Sequence, residues 1–361
     1  GSTVSAEVPR ELLPLLEAYR ILTTEAVGRE QQDRTELVQG ALRGMLQATD
    51  DPYASFLDPE AHRLEQTDYS GRFEGIGAEV GMRDGRLTII APIPDTPAER
   101  AGIRPGDIVV GVDGQDVTAL TLLEAVKLIR GARGTQVTLE LLRPGQPEPV
   151  SVTLTRDVIV VHSVSSRMLE DGVGYLRVRS FIQTTPRDVT SALRELRRQG
   201  ARALVLDLRD NPGGLLDATV AVASQFLRHG LVLYEEDAGR QRTDWPVRPG
   251  GAATDLPLVV LVNEFSASGA EVLAGALQDH GRATLVGTPT FGKGSVNVLR
   301  GLSDGSAIYF SVAHWYTPNG RLIEGVGLQP DVVVEQPPGA ADDPQLQRAR
   351  DLLRDALLAR A

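Results

Sequence analysis

Ser268, Lys293 and the pair Gly213-Gly214 are the residues whose types and settings could carry covalent chemistry in this chain. Ser268 stands in the turn Asn263-Glu264-Phe265-Ser266-Ala267-Ser268-Gly269-Ala270, between a strand pattern and a helix pattern. Gly213 and Gly214 close a second turn of the same kind, Leu208-Arg209-Asp210-Asn211-Pro212-Gly213-Gly214. A helix N-terminus carries unpaired N–H groups and partial positive charge, so both turns are natural anion sites. Taken singly, each has an ordinary explanation: Gly-Gly makes a tight turn, and Ser266 or Ser268 caps a helix. Lys293 alters the balance. Only Lys127 and Lys293 are lysines among the 37 lysine and arginine residues, and a cation with a surface role alone could have drifted to arginine like the rest. A desolvated lysine can lose its proton near neutral pH, which a guanidinium does not. Thr290-Phe291-Gly292-Lys293-Gly294 holds no other charge, so Lys293 is expected to be desolvated, whereas Lys127 sits in a helical stretch as a snorkelling side chain. A hydroxyl, a neutral amine and inward amides are the three parts of a serine–lysine hydrolase.

The elements that must position these groups read as α/β from residue 160 onward. Strands are expected at 173–178, 203–208, 258–262, 284–287 and 306–310, with helices at 186–198, 215–227 and 270–278. Before them, 71–157 reads as a compact β-rich domain with strands at 87–91, 108–112 and 137–142 and one helix at 121–130. Residues 9–48 are helical in pattern, 54–59 a turn-rich connector, Pro337-Pro338-Gly339 a linker, and 344–361 an amphipathic helix with Leu346, Leu352, Leu353, Leu357 and Leu358 on its apolar side. The expected domains are therefore 1–70, 71–157, 158–336 and 337–361.

Bulk composition excludes several classes. A net charge of −11 argues against a nucleic-acid surface. The absence of cysteine removes disulfides, thiolate catalysis and cysteine-based zinc sites. The five histidines have no metal-ligand spacing; no metal and no cofactor are expected. His280 follows Asp279 and suggests a Ser-His-Asp triad, but a helix separates it from Ser268 by about 18 Å at 1.5 Å per residue. Glu264 and Glu271 flank the serine and are read as serving the helix dipole. Gly1-Ser2 resembles a cloning scar, so a signal peptide or membrane anchor is expected to be missing ahead of it.

Ser266-Ala267-Ser268-Gly269-Ala270-Glu271-Val272-Leu273 and Gly287-Thr288-Pro289-Thr290-Phe291-Gly292-Lys293-Gly294-Ser295 resemble the catalytic block of the carboxy-terminal processing (tail-specific) proteases. Asp51-Pro52-Tyr53-Ala54-Ser55-Phe56-Leu57, Arg209-Asp210-Asn211-Pro212-Gly213-Gly214 and Gly325-Val326-Gly327-Leu328-Gln329-Pro330-Asp331 resemble its other signatures. Phe73-Glu74-Gly75-Ile76-Gly77-Ala78 and Ala98-Glu99-Arg100-Ala101-Gly102-Ile103 are similar to its PDZ domain. The resemblance implies an α/β core of the ClpP/crotonase type, an inserted PDZ domain, and helical segments at both ends. It further implies Ser268 as nucleophile, Lys293 as general base, and oxyanion amides from Gly213 or Gly214 and from Gly269. The family's lysine-orienting glutamine is replaced by Asn297, one methylene shorter, and its alanine after the nucleophile by Gly269. In the PDZ segment, Gly75, Ile76, Gly77 and Ala78 are expected to take a terminal carboxylate, and Arg130 to latch the domain onto the core once a tail is bound. The expected substrates are unfolded or tail-exposed proteins, and the expected setting is the cell envelope. A homo-oligomer is expected, with a dimer favoured. Two rival readings remain: a PDZ adaptor crippled at Asn297 and Gly269, and an acyl-CoA enzyme of the crotonase type.

Overall fold

Apolar runs without alternation, such as Leu258-Val259-Val260-Leu261-Val262, read as strands covered on both faces, and the computed structural model buries them in that way. The structure describes residues 9–359 other than 69–70, 84, 94, 121, 144–145, 147, 161 and 337–341. Gly1-Ser2, the linker Pro337-Pro338-Gly339 and the last two residues of the terminal helix lie outside the described residues. The chain forms two compact units, residues 1–62 with 297–311 and residues 63–296 with 312–361.

In the larger unit a six-stranded sheet runs in the order Val164–Met168, Val173–Val178, Ala203–Asp207, Leu258–Val262, Thr284–Gly287, Val332–Val333. The first pair is antiparallel and the others are parallel. Successive side chains of a strand point to opposite faces, and each face has its own cover. Leu204, Leu206, Val260 and Val262 pack with helices Thr185–Arg198, Leu216–Ala223 and Gly269–Asp279. Ala203, Val205, Val259 and Leu261 pack with Ala349 and Leu353 of the C-terminal helix Pro344–Leu358. Leu358, expected on the apolar side of that helix, is exposed. Helix Leu216–Ala223 ends earlier than the pattern suggests, and just past it Ser224 Oγ donates to Val220 O at 2.7 Å and accepts the Arg248 amide at 2.9 Å. A hairpin that the sequence did not suggest, Leu231–Asp237 with Arg242–Pro246, also pairs with residues 313–316. Tyr234 and Tyr316 stack there at 5.0 Å.

The C-terminal helix is tied to the sheet by charge as well as by packing. Arg209 donates to Asp207 at 2.6 Å and to Asp343, the helix N-cap, at 2.8 Å. Burial alone would raise the Asp343 carboxyl, but the Arg209 bonds and the Leu346 amide outweigh it and hold the group below the usual aspartate range. A depressed carboxylate stabilises the fold above its unfolded pKa, about 3.9, and that contribution is lost as pH falls through the lower folded value. Protection of residues 344–358 against hydrogen exchange, taken relative to the intrinsic rate at each pH, is therefore expected to fall below about pH 4. Protection that stays constant down to pH 3 would contradict the coupling.

Residues 72–160 enter and leave side by side, since Arg72–Gly75 pairs antiparallel with Asp157–Val160. Between them lies a sheet ordered Ala78–Arg83, Arg86–Pro92, Ile108–Val112, Gln136–Leu142, Val150–Thr155. Its core, including Ile89, Val109, Leu139 and Leu141, is separate from that of the parallel sheet. The overall class is as expected: an α/β core, an inserted β-rich domain and helical ends.

In the smaller unit, helices Leu13–Glu25 and Arg34–Gln47 bury none of their residues, and Leu13, Leu16, Leu22 and Met45 are exposed. Part of the expected connector is a strand: Ser55–Leu57 pairs antiparallel with residues 307–309.

Candidate active site

The two suspected turns follow the carboxyl ends of neighbouring parallel strands, where Asp207 pairs with Leu261. Ligands of open α/β sheets bind at such ends. Asn211 is fully buried and staples the turns together. Its Nδ2 donates to Val178 O at 2.9 Å, its Oδ1 accepts the Gly213 amide at 2.8 Å, and its carbonyl accepts the Ala267 amide at 2.9 Å. Ser266 adds a second staple, donating from Oγ to Leu208 O at 2.8 Å. Ser266 is thus fully buried and structurally committed, and Ser268, which is half-buried, is the serine left for chemistry.

Glycine is required at both positions of the pair. Gly213 has φ +102°, and a Cβ there would lie 2.8 Å from both Gly269 N and Ser268 Cβ. Gly214 has φ +138°, and its Cβ would meet Phe181 O at 2.3 Å. The close approach brings Gly213 against Ser268 and the first amide of helix Gly269–Asp279. The Gly213 N–H is committed to Asn211 Oδ1 at 2.8 Å. Among the described residues the Gly214 amide has no hydrogen bond, and Gly269 opens its helix, where an amide has no intrahelical acceptor.

Ser268 itself is strained, at φ 51° and ψ −117°, a region that L side chains avoid. Such strain holds a side chain at a sharp strand-to-helix turn in other hydrolases. The group that holds it here is Glu271, which the sequence reading gave only a dipole role. Glu271 is fully buried. Its Oε2 accepts the Ser268 amide at 2.9 Å and the Lys293 amide at 2.9 Å, and its Oε1 accepts the Gly292 amide at 2.7 Å and Thr290 Oγ at 2.5 Å. Burial pushes the Glu271 carboxyl up, against the pull of these four donors. One carboxylate thereby ties the turn of Ser268 to the turn of Lys293. Its sequence signal was the spacing Ser-x-x-Glu, that of a capping box.

Lys293 is half-buried rather than fully desolvated, and its carbonyl accepts Trp315 Nε1 at 3.1 Å. Asn297 lies in strand Ser295–Gly301, which belongs in part to the smaller unit, and donates from Nδ2 to Ser311 Oγ at 2.9 Å. His280 caps the far end of its helix and bonds Leu231 O at 2.7 Å. Glu264 accepts Thr288 Oγ at 3.0 Å.

In the β-rich domain, the Ile76 and Gly77 carbonyls are drawn inward, to the amides of Ala98 and Ile93 at 2.8 Å each. No hydrogen bond of the Ile76 or Gly77 amide occurs among the described residues. Ala78 opens an edge strand, and helix Leu122–Ile129 packs beside it. Arg130 lies over the Phe73 ring at 4.6 Å, and its Cγ is 3.7 Å from where a Gly75 Cβ would sit. It stands at the base of the 75–78 loop.

A hydroxyl at a strained turn, a close-packed glycine beside it and a lysine joined to that turn through Glu271 suit acyl transfer from a carbonyl substrate. Comparison with known proteins agrees with that class. Residues 172–334 match peptidase family S41, 88–143 a PDZ domain, and 2–61 the activating protease CtpB N-terminal domain. The chain is 39% identical over 312 residues to the carboxy-terminal-processing protease of Bartonella bacilliformis, covering 84% of this chain and 71% of that one. It is 40% identical over 346 residues to the carboxyl-terminal-processing protease of Synechocystis, covering 92% and 80%. Among solved structures it resembles a photosystem II D1 C-terminal processing protease, with 31% identity, a TM-score of 0.61, and coverage of 94% and 97%. The chain belongs to the carboxy-terminal processing serine proteases of peptidase family S41, and it carries a PDZ domain.

Proposed function

We propose that the chain captures protein C-terminal tails on its PDZ domain and hydrolyses peptide bonds through an acyl-enzyme on Ser268. The tail adds as a strand beside Ala78–Arg83, and its terminal carboxylate takes the Ile76 and Gly77 amides. Neutral Lys293 removes the Ser268 proton as Oγ attacks the scissile carbonyl. The developing oxyanion is received by the Gly214 and Gly269 amides. The lysine proton then passes to the leaving amine, and water, deprotonated by the same lysine, releases the acyl group. The observation that supports this reading is the close approach of Gly213 to Ser268 and Gly269, where an added Cβ would lie 2.8 Å from both Ser268 Cβ and Gly269 N.

The test has two arms. Wild type should degrade a denatured model protein and Ser268→Ala should not; equal degradation by both would remove Ser268 from the reaction. Amidating a peptide's C-terminus deletes a charged acceptor, worth about 1.5–3 kcal/mol or roughly 10- to 150-fold in affinity. Isothermal titration of both peptides against Ser268→Ala measures this without cleavage. Equal affinities would show that the terminal carboxylate is not read.

A further inference from the structure

Of the seven phenylalanines in the chain, only Phe265 and Phe291 are exposed, at 61% and 58%. Their places are not scattered. Phe265 precedes Ser268 by three residues, and Phe291 precedes Lys293 by two. A chain reaches at most about 3.6 Å per residue, so their Cα atoms lie within about 11 Å of that of Ser268 and about 7 Å of that of Lys293, respectively. The Phe291 amide donates to Ser266 O at 3.1 Å, which joins the two turns main chain to main chain.

Neither ring is exposed by fraying. The Phe265 amide donates to Asn263 Oδ1 at 3.2 Å, and the next residue, Ser266, is fully buried. Thr290 and Gly292, on either side of Phe291, are buried as well. Gly292 O accepts the Gly325 amide at 2.9 Å, and a Cβ on Gly292 would lie 3.1 Å from Val326 N. Val326, 67% exposed, thus stands on a third loop held against the second. A single apolar side chain in water is ordinary. Three of them on adjoining loops, two of which carry the serine and the lysine, mark a binding surface.

We propose that Phe265 and Phe291 are specificity-determining residues that take large apolar side chains of the substrate, of the leucine or phenylalanine kind, within about three residues of the scissile bond. The inference rests on the reading of Ser268 and Lys293 as the reacting pair. An extended chain brought to Ser268 must pass beside both turns, and an aromatic ring in water gains by burying an apolar group against it. Such side chains lie inside folded proteins, so unfolded segments present them. The PDZ domain reads the end of a substrate, and the two rings read the segment to be cut.

The test uses the full chain and two peptides with the same C-terminal tail, one with leucine and one with serine on both sides of the cleaved bond. The readout is the ratio of their kcat/KM values. Wild type is expected to favour the leucine peptide about tenfold, and the Phe265→Ala, Phe291→Ala double variant to keep less than about a threefold preference. Phe265→Leu and Phe291→Leu retain apolar side chains and should retain most of the preference. The single alanine variants are assayed alongside, so a double variant that fails to fold leaves the comparison intact. No preference in wild type, an unchanged preference in the alanine variants, or an equal loss in the leucine variants would overturn the proposal. Self-association lost in the alanine variants with the preference intact would assign the rings to a second copy of the chain, and would overturn it too. Cleavage of both peptides by Ser268→Ala would instead overturn the reading on which the proposal rests.

Discussion

Lys293→Arg is expected to abolish peptide hydrolysis while the protein stays folded. Arginine is permanently charged at accessible pH and has no lone pair for the Ser268 proton. Removing a member of a serine hydrolase's proton-transfer set costs about 10⁴-fold or more in kcat. The fold should tolerate the exchange, because the main chain of this residue keeps its bonds to Glu271 and to Trp315. The side chain is only half-buried, so a guanidinium can reach water. Initial rates on an unfolded substrate, with a thermal melt as control, decide the matter. A variant that keeps more than about one hundredth of wild-type turnover would remove Lys293 as base.

Glu271→Gln should be the next most damaging, although the Glu271 carboxylate touches no reacting atom. All four of its partners are donors, two on each oxygen. A glutamine turned either way keeps one oxygen and sets an NH2 group against two donors. Two hydrogen bonds to a charged group are lost, about 3 kcal/mol or more in all. If that loss falls on the spacing of the Ser268 and Lys293 turns, kcat drops roughly 100-fold. Peptide binding by the PDZ domain should not change, since the two halves of the measurement probe separate cores. A kcat within twofold of wild type would show that Glu271 does not hold the two turns in register.

The parallel strands and the serine and lysine turns were legible because their signals are local. Leu258–Val262 is an unbroken apolar run, and the Gly-Gly and Ser-x-Ser turns follow such runs directly. What stayed hidden depends on partners that arrive only on folding. Ser55–Leu57 is three residues long and pairs with residues about 250 further on, so it shows no period of its own. Leu231–Asp237 is masked by Glu235, Glu236 and Asp237, whose charges break the apolar pattern of a strand. Glu271 was read as serving the helix dipole because its local setting is a first helical turn; three of its four donors come from residues 290–293. The engagement of the Gly213 amide by Asn211 Oδ1 is a contact that no spacing rule supplies. Lys293 was expected to be desolvated from the lack of charge around it in sequence, and it is half-buried between two buried glycines, Gly292 and Gly294.

The acyl-enzyme is the central claim, and it can be trapped. Wild type, Ser268→Ala and Lys293→Arg would each be mixed with an activated peptidyl ester, quenched in acid within one turnover, and mapped by peptide mass. The account predicts an acyl group on the Ser268 peptide of wild type and none on that peptide in either variant. An adduct on a different residue of wild type, or substrate turnover by Ser268→Ala at the wild-type rate, would contradict it.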